Sequence, residues 1–228
     1  MLMHKSSEIA TTKSAMPIPA GVPEANALAD TFAVLGAVMR FEHNSEIFGE
    51  GEPAEYFYKV VKGAVRTYKL LNDGRRQISA FHMTGDIFGI EAGKEHRFTA
   101  DAIADTTVLV IKRATLMALA NRDSEIASCL WAQATGDLLR AQDHMLLLGR
   151  KNALERVVAF LLDMDRRLSV AGVMALPMCR RDIGDYLGLT LETVSRSLSA
   201  LAEKGALSFN GSRQIMLNNR ARLQAMTE

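Results

Sequence analysis

At helical spacing, Leu191, Glu192, Ser195, Arg196 and Ser199 bring together side chains able to read the edges of nucleic-acid bases. The planar donor fork of Arg196 suits guanine O6 and N7, and Glu192, one turn earlier, accepts from cytosine N4 or adenine N6. Ser195 offers a flexible third contact, and Leu191 heads the same face. The Glu192/Arg196 pair also suits an i,i+4 surface ion pair worth about 0.2–0.5 kcal/mol, so context has to separate the two uses. Around this face Arg180, Arg181, Thr190, Thr193 and Arg213 are candidate phosphate contacts, which position a protein without reading sequence. Cys179 precedes Arg180-Arg181 at a helix start, where guanidiniums and the helix N-terminus would favour thiolate and sensitivity to oxidation. The same cysteine also fits a small buried helix cap.

The elements that must hold this face are legible in residues 180–203, RRDIGDYLGLTLETVSRSLSALAE. Arg181–Leu187 reads as a short helix with Ile183 and Leu187 inward. Gly188-Leu189-Thr190 supplies a turn with Thr190 as the next N-cap, and a second helix runs to about Lys204 on the core face Val194, Leu198 and Leu201. Gly205 closes that helix. Ala206–Leu217, with Asn210-Gly211 at its tip, reads as a hairpin wing. A complete winged helix-turn-helix favours base reading over a bare surface ion pair.

Upstream, Asn152–Leu168 reads as an apolar helix and Val173–Met178 as an extended stretch. From Asp123 to Gly149, Ala127, Trp131, Ala134, Leu138, Ala141, Met145 and Leu148 alternate at steps of four and three. That heptad seam fits either the flank of a neighbouring domain or a homodimer interface, and its small alanines favour the dimer. Gly136 and Gly149 are places where the seam would bend or end. Between Phe41 and Ile111, β-rich runs at Tyr56–Val61, Ala64–Leu71, Gln77–Phe81 and Thr107–Ile111 alternate with glycines at 51, 63, 74 and 85, the spacing of a small β-roll. A helix is expected over Ala25–Arg40. The organisation expected is an arm over 1–24, a β-roll over 25–122, a dimerisation helix over 123–149 and a winged helix over 150–228.

Charge follows this division: residues 1–149 carry 15 Lys/Arg against 18 Asp/Glu, residues 150–228 carry 12 against 8. A basic C-terminal segment on an acidic front suits a nucleic-acid module on a sensor or scaffold. Two cysteines, Cys129 and Cys179, exclude a disulfide scaffold, a four-thiolate zinc site and a cysteine-ligated iron–sulfur cluster within one chain. Cys129 lies off the seam and is expected only to pack. With no long apolar run and no leader pattern, a cytoplasmic protein without membrane contact is expected.

The stretches IFGEGEPAEYFYKVVKGAVRTYKLLNDGRRQISAFHMTGDIFG and LPMCRRDIGDYLGLTLETVSRSLSALAEKGAL resemble the Crp/Fnr family of bacterial transcription regulators, and most of all its FixK branch, over about residues 28–220. The resemblance implies an α+β fold: a jelly-roll-like β-roll of the cyclic-nucleotide-binding type, a long dimerisation helix and a C-terminal winged helix-turn-helix. Its E-x-x-S-R pattern falls on Glu192, Ser195 and Arg196. It implies a homodimer on double-stranded DNA at a TTGA…TCAA inverted repeat, mainly activating through RNA polymerase, in control of microaerobic or nitrogen-fixation genes.

The departures from the family are informative. Residues 1–128 hold no cysteine for an Fnr-type cluster, and the cyclic-AMP region reads GIEAGKEHRFTADA, with Ile90 breaking the Gly-Glu pair and Phe98 where a serine is needed after Arg97. No nucleotide, no haem on His43, His82 or His96, no cofactor, no metal and no enzyme activity are expected. The regulator is read as active without an effector and tuned by oxidation of Cys179. A Crp-like regulator gated by a small ligand in the roll is the alternative.

Overall fold

The computed structural model describes residues 26–211 and 213–227. The arm expected over residues 1–24 lies outside the described residues. Helix α1 (Asn26–Leu35) stops five residues short of the helix expected to Arg40. Gly36 donates its N–H to the Phe32 carbonyl at 2.9 Å, and the chain turns into strand β1 (Ala37–Phe41), paired antiparallel along its length with residues 106–110. Val38 therefore serves a strand and not a helix: pairing with a distant segment overrides the local apolar period.

The roll consists of two four-stranded sheets. One runs β1, β8 (Thr106–Lys112), β3 (Tyr56–Lys62), β6 (Ile87–Phe88); the other runs β2 (Glu46–Phe48), β7 (Thr99–Ala102), β4 (Ala64–Leu70), β5 (Arg76–Met83). Phe48, Tyr58, Val60, Val65, Phe88 and Val108 fill the space between them. The four long strands match the β-rich runs of the sequence to within two residues at each end. The short strands β2, β6 and β7 carry no period long enough to betray them. Gly51, Gly63, Gly74 and Gly85 all have positive φ, the conformation that their turn positions demand.

Each sheet also packs outward. The first lies against α1, α2 (Arg113–Ala120) and the start of α3 (Ser124–Arg150), through Leu28, Phe32, Phe57, Ile111, Leu116 and Ile126. The second presents Ile78, Phe81 and Met83 to the C-terminal part of the chain. Helix α3 starts on Asp123, whose side chain accepts from the N–H of Glu125 and Ile126, and it continues through Gly136 to Arg150. Gly136 does not end it, since the cost of a helical glycine, about 1 kcal/mol, is small beside a 27-residue helix, whereas Gly149 stands one residue before its end.

Only Lys151 and Asn152 separate α3 from α4 (Ala153–Leu168), which opens with a capping box between Asn152 and Glu155. Then follow β9 (Val173–Ala175), α5 (Arg180–Leu187), α6 (Leu191–Glu203), β10 (Leu207–Phe209), β11 (Gln214–Leu217) and α7 (Arg220–Ala225). The last three strands form one sheet in the order β10, β11, β9. Among the described residues, no helix is long and apolar enough to cross a membrane.

Candidate nucleic-acid interface

Helix α6 buries Val194, Leu198 and Leu201 as its pattern requires, together with Ser197. Leu191, Glu192, Arg196 and Ser199 are exposed, and Ser195 is half-buried. The Thr190 side chain caps the helix by accepting from the Thr193 N–H at 3.2 Å, and the two threonine hydroxyls are 3.0 Å apart. The hydrogen bond from its own backbone N–H, then one from Thr190, holds the Glu192 carboxyl below its ordinary range; the charges of Arg196 and Arg181 contribute less. The carboxylate is thus anchored on the helix N-terminus and faces outward as an acceptor.

The turn into α6 is tight for a reason the sequence does not advertise. Gly188 has φ +63°, and a Cβ on Gly184 would lie 2.6 Å from the Leu189 carbonyl oxygen. Gly184 lets α5 and the turn touch, and so fixes the angle between the two helices. Arg180 is exposed, donates to Ser195 Oγ at 3.4 Å and lies 5.8 Å from the ring centroid of Phe209. It therefore joins α5, α6 and the wing. Phe209 was missed in the sequence; an exposed aromatic two residues before a tip glycine is the signal that marks it. Arg181 and Arg213 are exposed, and the Arg213 carbonyl accepts from Leu176 at 2.9 Å, which anchors the wing.

Cys179 caps α5 and is exposed, so the buried-cap alternative does not hold. The surroundings of its sulfur also differ from those expected. Sγ donates to Asp182 Oδ2 at 3.1 Å, and the guanidiniums paired with that carboxylate belong to Arg66 and Arg76 of the roll. Among the described residues, neither Arg180 nor Arg181 hydrogen-bonds to the sulfur. The capping geometry explains the change: residue N3 of the helix folds back on the cap, and here N3 is acidic. Cys129 is half-buried beside the α1/α2 cluster.

Along α3, Trp131, Leu138 and Met145 are 72%, 58% and 66% exposed, and Ala134 and Ala141 between them are exposed too. Ala127 and Leu148 at the ends of the seam are half-buried. Leu139 and Leu146 are also exposed and widen the stripe beyond the seam read from the sequence.

Where a nucleotide would need partners, Arg97 is exposed and stacks over Phe98 at 5.9 Å. On the inner side His82 bonds with Thr67 Oγ1 through Nε2 at 3.3 Å and stacks on Phe88. Desolvation drives its imidazole down to about 4, helped by Arg167 and Arg140 and opposed by Asp86, so it is neutral.

Two matches define the class. Residues 38–123 match the cyclic nucleotide-binding domain and residues 155–226 the Crp-like helix-turn-helix domain, which together make a transcription regulator of two parts. The chain is 47% identical over 203 residues to the nitrogen fixation regulation protein FixK of Azorhizobium caulinodans, covering 87% of this chain and 82% of the relative. It is 33% identical to the fumarate and nitrate reduction regulatory protein of Escherichia coli K12, covering 78% of this chain and 74% of that one. The structure of FixK2 from Bradyrhizobium japonicum superposes with a TM-score of 0.83 at 60% identity, covering 85% of this chain and 98% of that one. The chain belongs to the Crp/Fnr family of transcription regulators, a family of DNA-binding proteins and not of enzymes, with FixK proteins among its near relatives.

Proposed function

We propose that this protein binds a TTGA…TCAA-like inverted repeat as a homodimer, one α6 in each half-site, and regulates microaerobic or nitrogen-fixation genes in the cytoplasm, mainly by activation through RNA polymerase. The observation that carries the reading is the outward face of α6, where Glu192, Ser195 and Arg196 stand together beside Arg180 and the wing. Arg180, Arg181, Thr190, Thr193 and Arg213 surround that face as phosphate contacts. The exposed stripe on α3 from Trp131 to Met145 is the dimer surface: an apolar face of this length on a soluble helix calls for a partner, and heptad spacing suits its own copy.

Regulation is without an effector in the family's nucleotide position, because Phe98 stands where a serine is needed after Arg97 and Ile90 breaks the Gly-Glu pair. Oxidation of the exposed Cys179 to sulfenic or sulfinic acid lowers DNA affinity, by adding negative charge beside the phosphate-facing Arg180 and Arg181. Gating by a small ligand is the second reading. It is favoured by a groove of about 790 Å³ at the open end of the roll, lined by Met39, Phe48, Tyr58 and His96.

The test is a titration of the reduced protein, without ligand and at fixed salt, on the palindrome and on a duplex scrambled in both half-sites. Selective binding is expected; failure on both by a folded dimer overturns the effector-free reading. Peroxide treatment is expected to weaken binding of the wild type and to spare Cys179→Ser, and equal loss in both removes the redox role. A thermal shift with cyclic nucleotides separates the ligand-gated reading.

A further inference from the structure

Three routes join the seam on α3 to the recognition face on α6, one of them direct: His144 of α3 stacks on the Tyr186 ring of α5 at 4.0 Å and bonds with the Tyr186 carbonyl through Nε2 at 2.8 Å. The short one is the two-residue link Lys151-Asn152, held by Arg156, which donates to the carbonyls of Leu148, Lys151 and Leu187. The long one passes through the roll: α3 packs on the first sheet, and the second sheet grips α5. At that grip Asp182, with its side chain 5% exposed, accepts from Arg66 Nη1 at 3.1 Å and Arg76 Nη2 at 2.5 Å. Arg66 also reaches Asp101 at 2.9 Å, and Arg76 reaches Asp185 at 2.7 Å. Tyr68 stacks under both guanidiniums, at 5.8 and 5.4 Å.

The grip has an apolar part and an ionic part with different consequences. Ile78, Phe81 and Met83 meet Phe160, Met164 and Tyr186, a non-directional contact that tolerates sliding. The ionic part does not. If α5 slipped by one residue, Asp182 would remain buried without its guanidiniums, and a buried charge deprived of its partner is among the costliest changes a fold can suffer. Burial works to raise the Asp182 carboxyl; the Cys179 thiol, Arg66, the Cys179 N–H and Arg76 together outweigh it and hold it below its ordinary range.

We infer that Asp182, with Arg66 and Arg76, is a positioning residue for DNA recognition: it locks α5 in one register on the roll, and so sets how far apart the two α6 helices of a dimer stand. Asp182 touches no DNA; it acts through α5, the Gly184 contact and α6. The inference rests on the proposed palindrome binding. Its consequence is a sharp preference for one half-site spacing, because that spacing is a property of the dimer's rigidity.

The experiment uses the full-length protein and two variants, Asp182→Asn and Arg76→Gln, on palindromes whose spacer is lengthened or shortened by one base pair. The wild type is expected to prefer one spacer by tenfold or more, and the variants to narrow that preference to threefold or less while still favouring the TTGA half-site sequence over a scrambled one. Folded variants that keep the full spacer preference overturn the inference. A second measurement is independent of DNA: with Cys129 and Cys179 replaced by serine, and labelled chains diluted into an excess of unlabelled ones, spin labels on Asn72→Cys and Lys204→Cys report the distance from roll to α6 within one chain. A single narrow distribution that broadens in Asp182→Asn is expected, and an unchanged width overturns the lock. If the wild type binds no palindrome yet its narrow distribution broadens in Asp182→Asn, the proposed DNA site fails and the lock stands.

Discussion

Arg196 and Asp182 are fourteen residues apart in one helix-turn-helix and live under opposite rules. The outer face of α6 is exposed and the Arg196 head is open to solvent, whereas the inner face of α5 buries a carboxylate against two arginines from a different part of the chain. A face proposed to meet DNA keeps its charged heads open to solvent. A face that holds the unit in place must have its charges satisfied within the protein. On the function proposed above, the same motif carries one set of charges for recognition and another for orientation.

That contrast can be broken or sharpened by experiment. The largest effect is expected in the core shared by both faces: Leu187 is fully buried, and Leu187→Ala should lower unfolding free energy by about 2–5 kcal/mol in a denaturant titration. Next, Arg196→Ala should leave the denaturation midpoint unchanged and cost about 10- to 100-fold in affinity for the palindrome, with relaxed selectivity at one base pair. A matching loss of stability would mean that the outer face is structural after all.

Acidification toward pH 5 should act first on the interior, through His82. His82 is neutral in the fold with a value of about 4 and titrates near 6.5 when unfolded. The unfolded chain therefore binds the extra proton first, and stability falls as pH drops from 6.5 toward 4. About 2 kcal/mol should be lost from this group by pH 5, and His82→Leu should flatten that part of the profile. Thr190→Ala removes an N-cap and should cost about 1 kcal/mol. The smallest effect is expected from the wing: Arg213→Ala should weaken binding to all sequences alike and reduce the salt slope by about one.

The difference between the two faces also explains what was readable. Val194, Leu198, Leu201, Thr190 and Gly188 announce the helix-turn-helix through spacing, cap and turn, which act over a few residues. The β-rich runs and their glycines likewise announced the roll. Where a long-range partner decided the outcome, local signals misled or fell silent. Val38 looked helical until β8 claimed it. Arg66 and Arg76 carried no signal at all, and Cys179 looked electropositive until Asp182 turned back on it.

The sequence by itself determined the long elements, the order of the two parts, the outward face of α6 and the apolar seam of α3, because helix period, turn chemistry and capping are properties of neighbouring residues. Only the tertiary structure decided which charges are spent inside. The Arg66–Asp182 pair spans 116 positions, and nothing in either local sequence marks it. Pairing across such a separation follows from how sheets and helices stack, since burial removes water and leaves each charge to be satisfied by whatever the packing brings within reach.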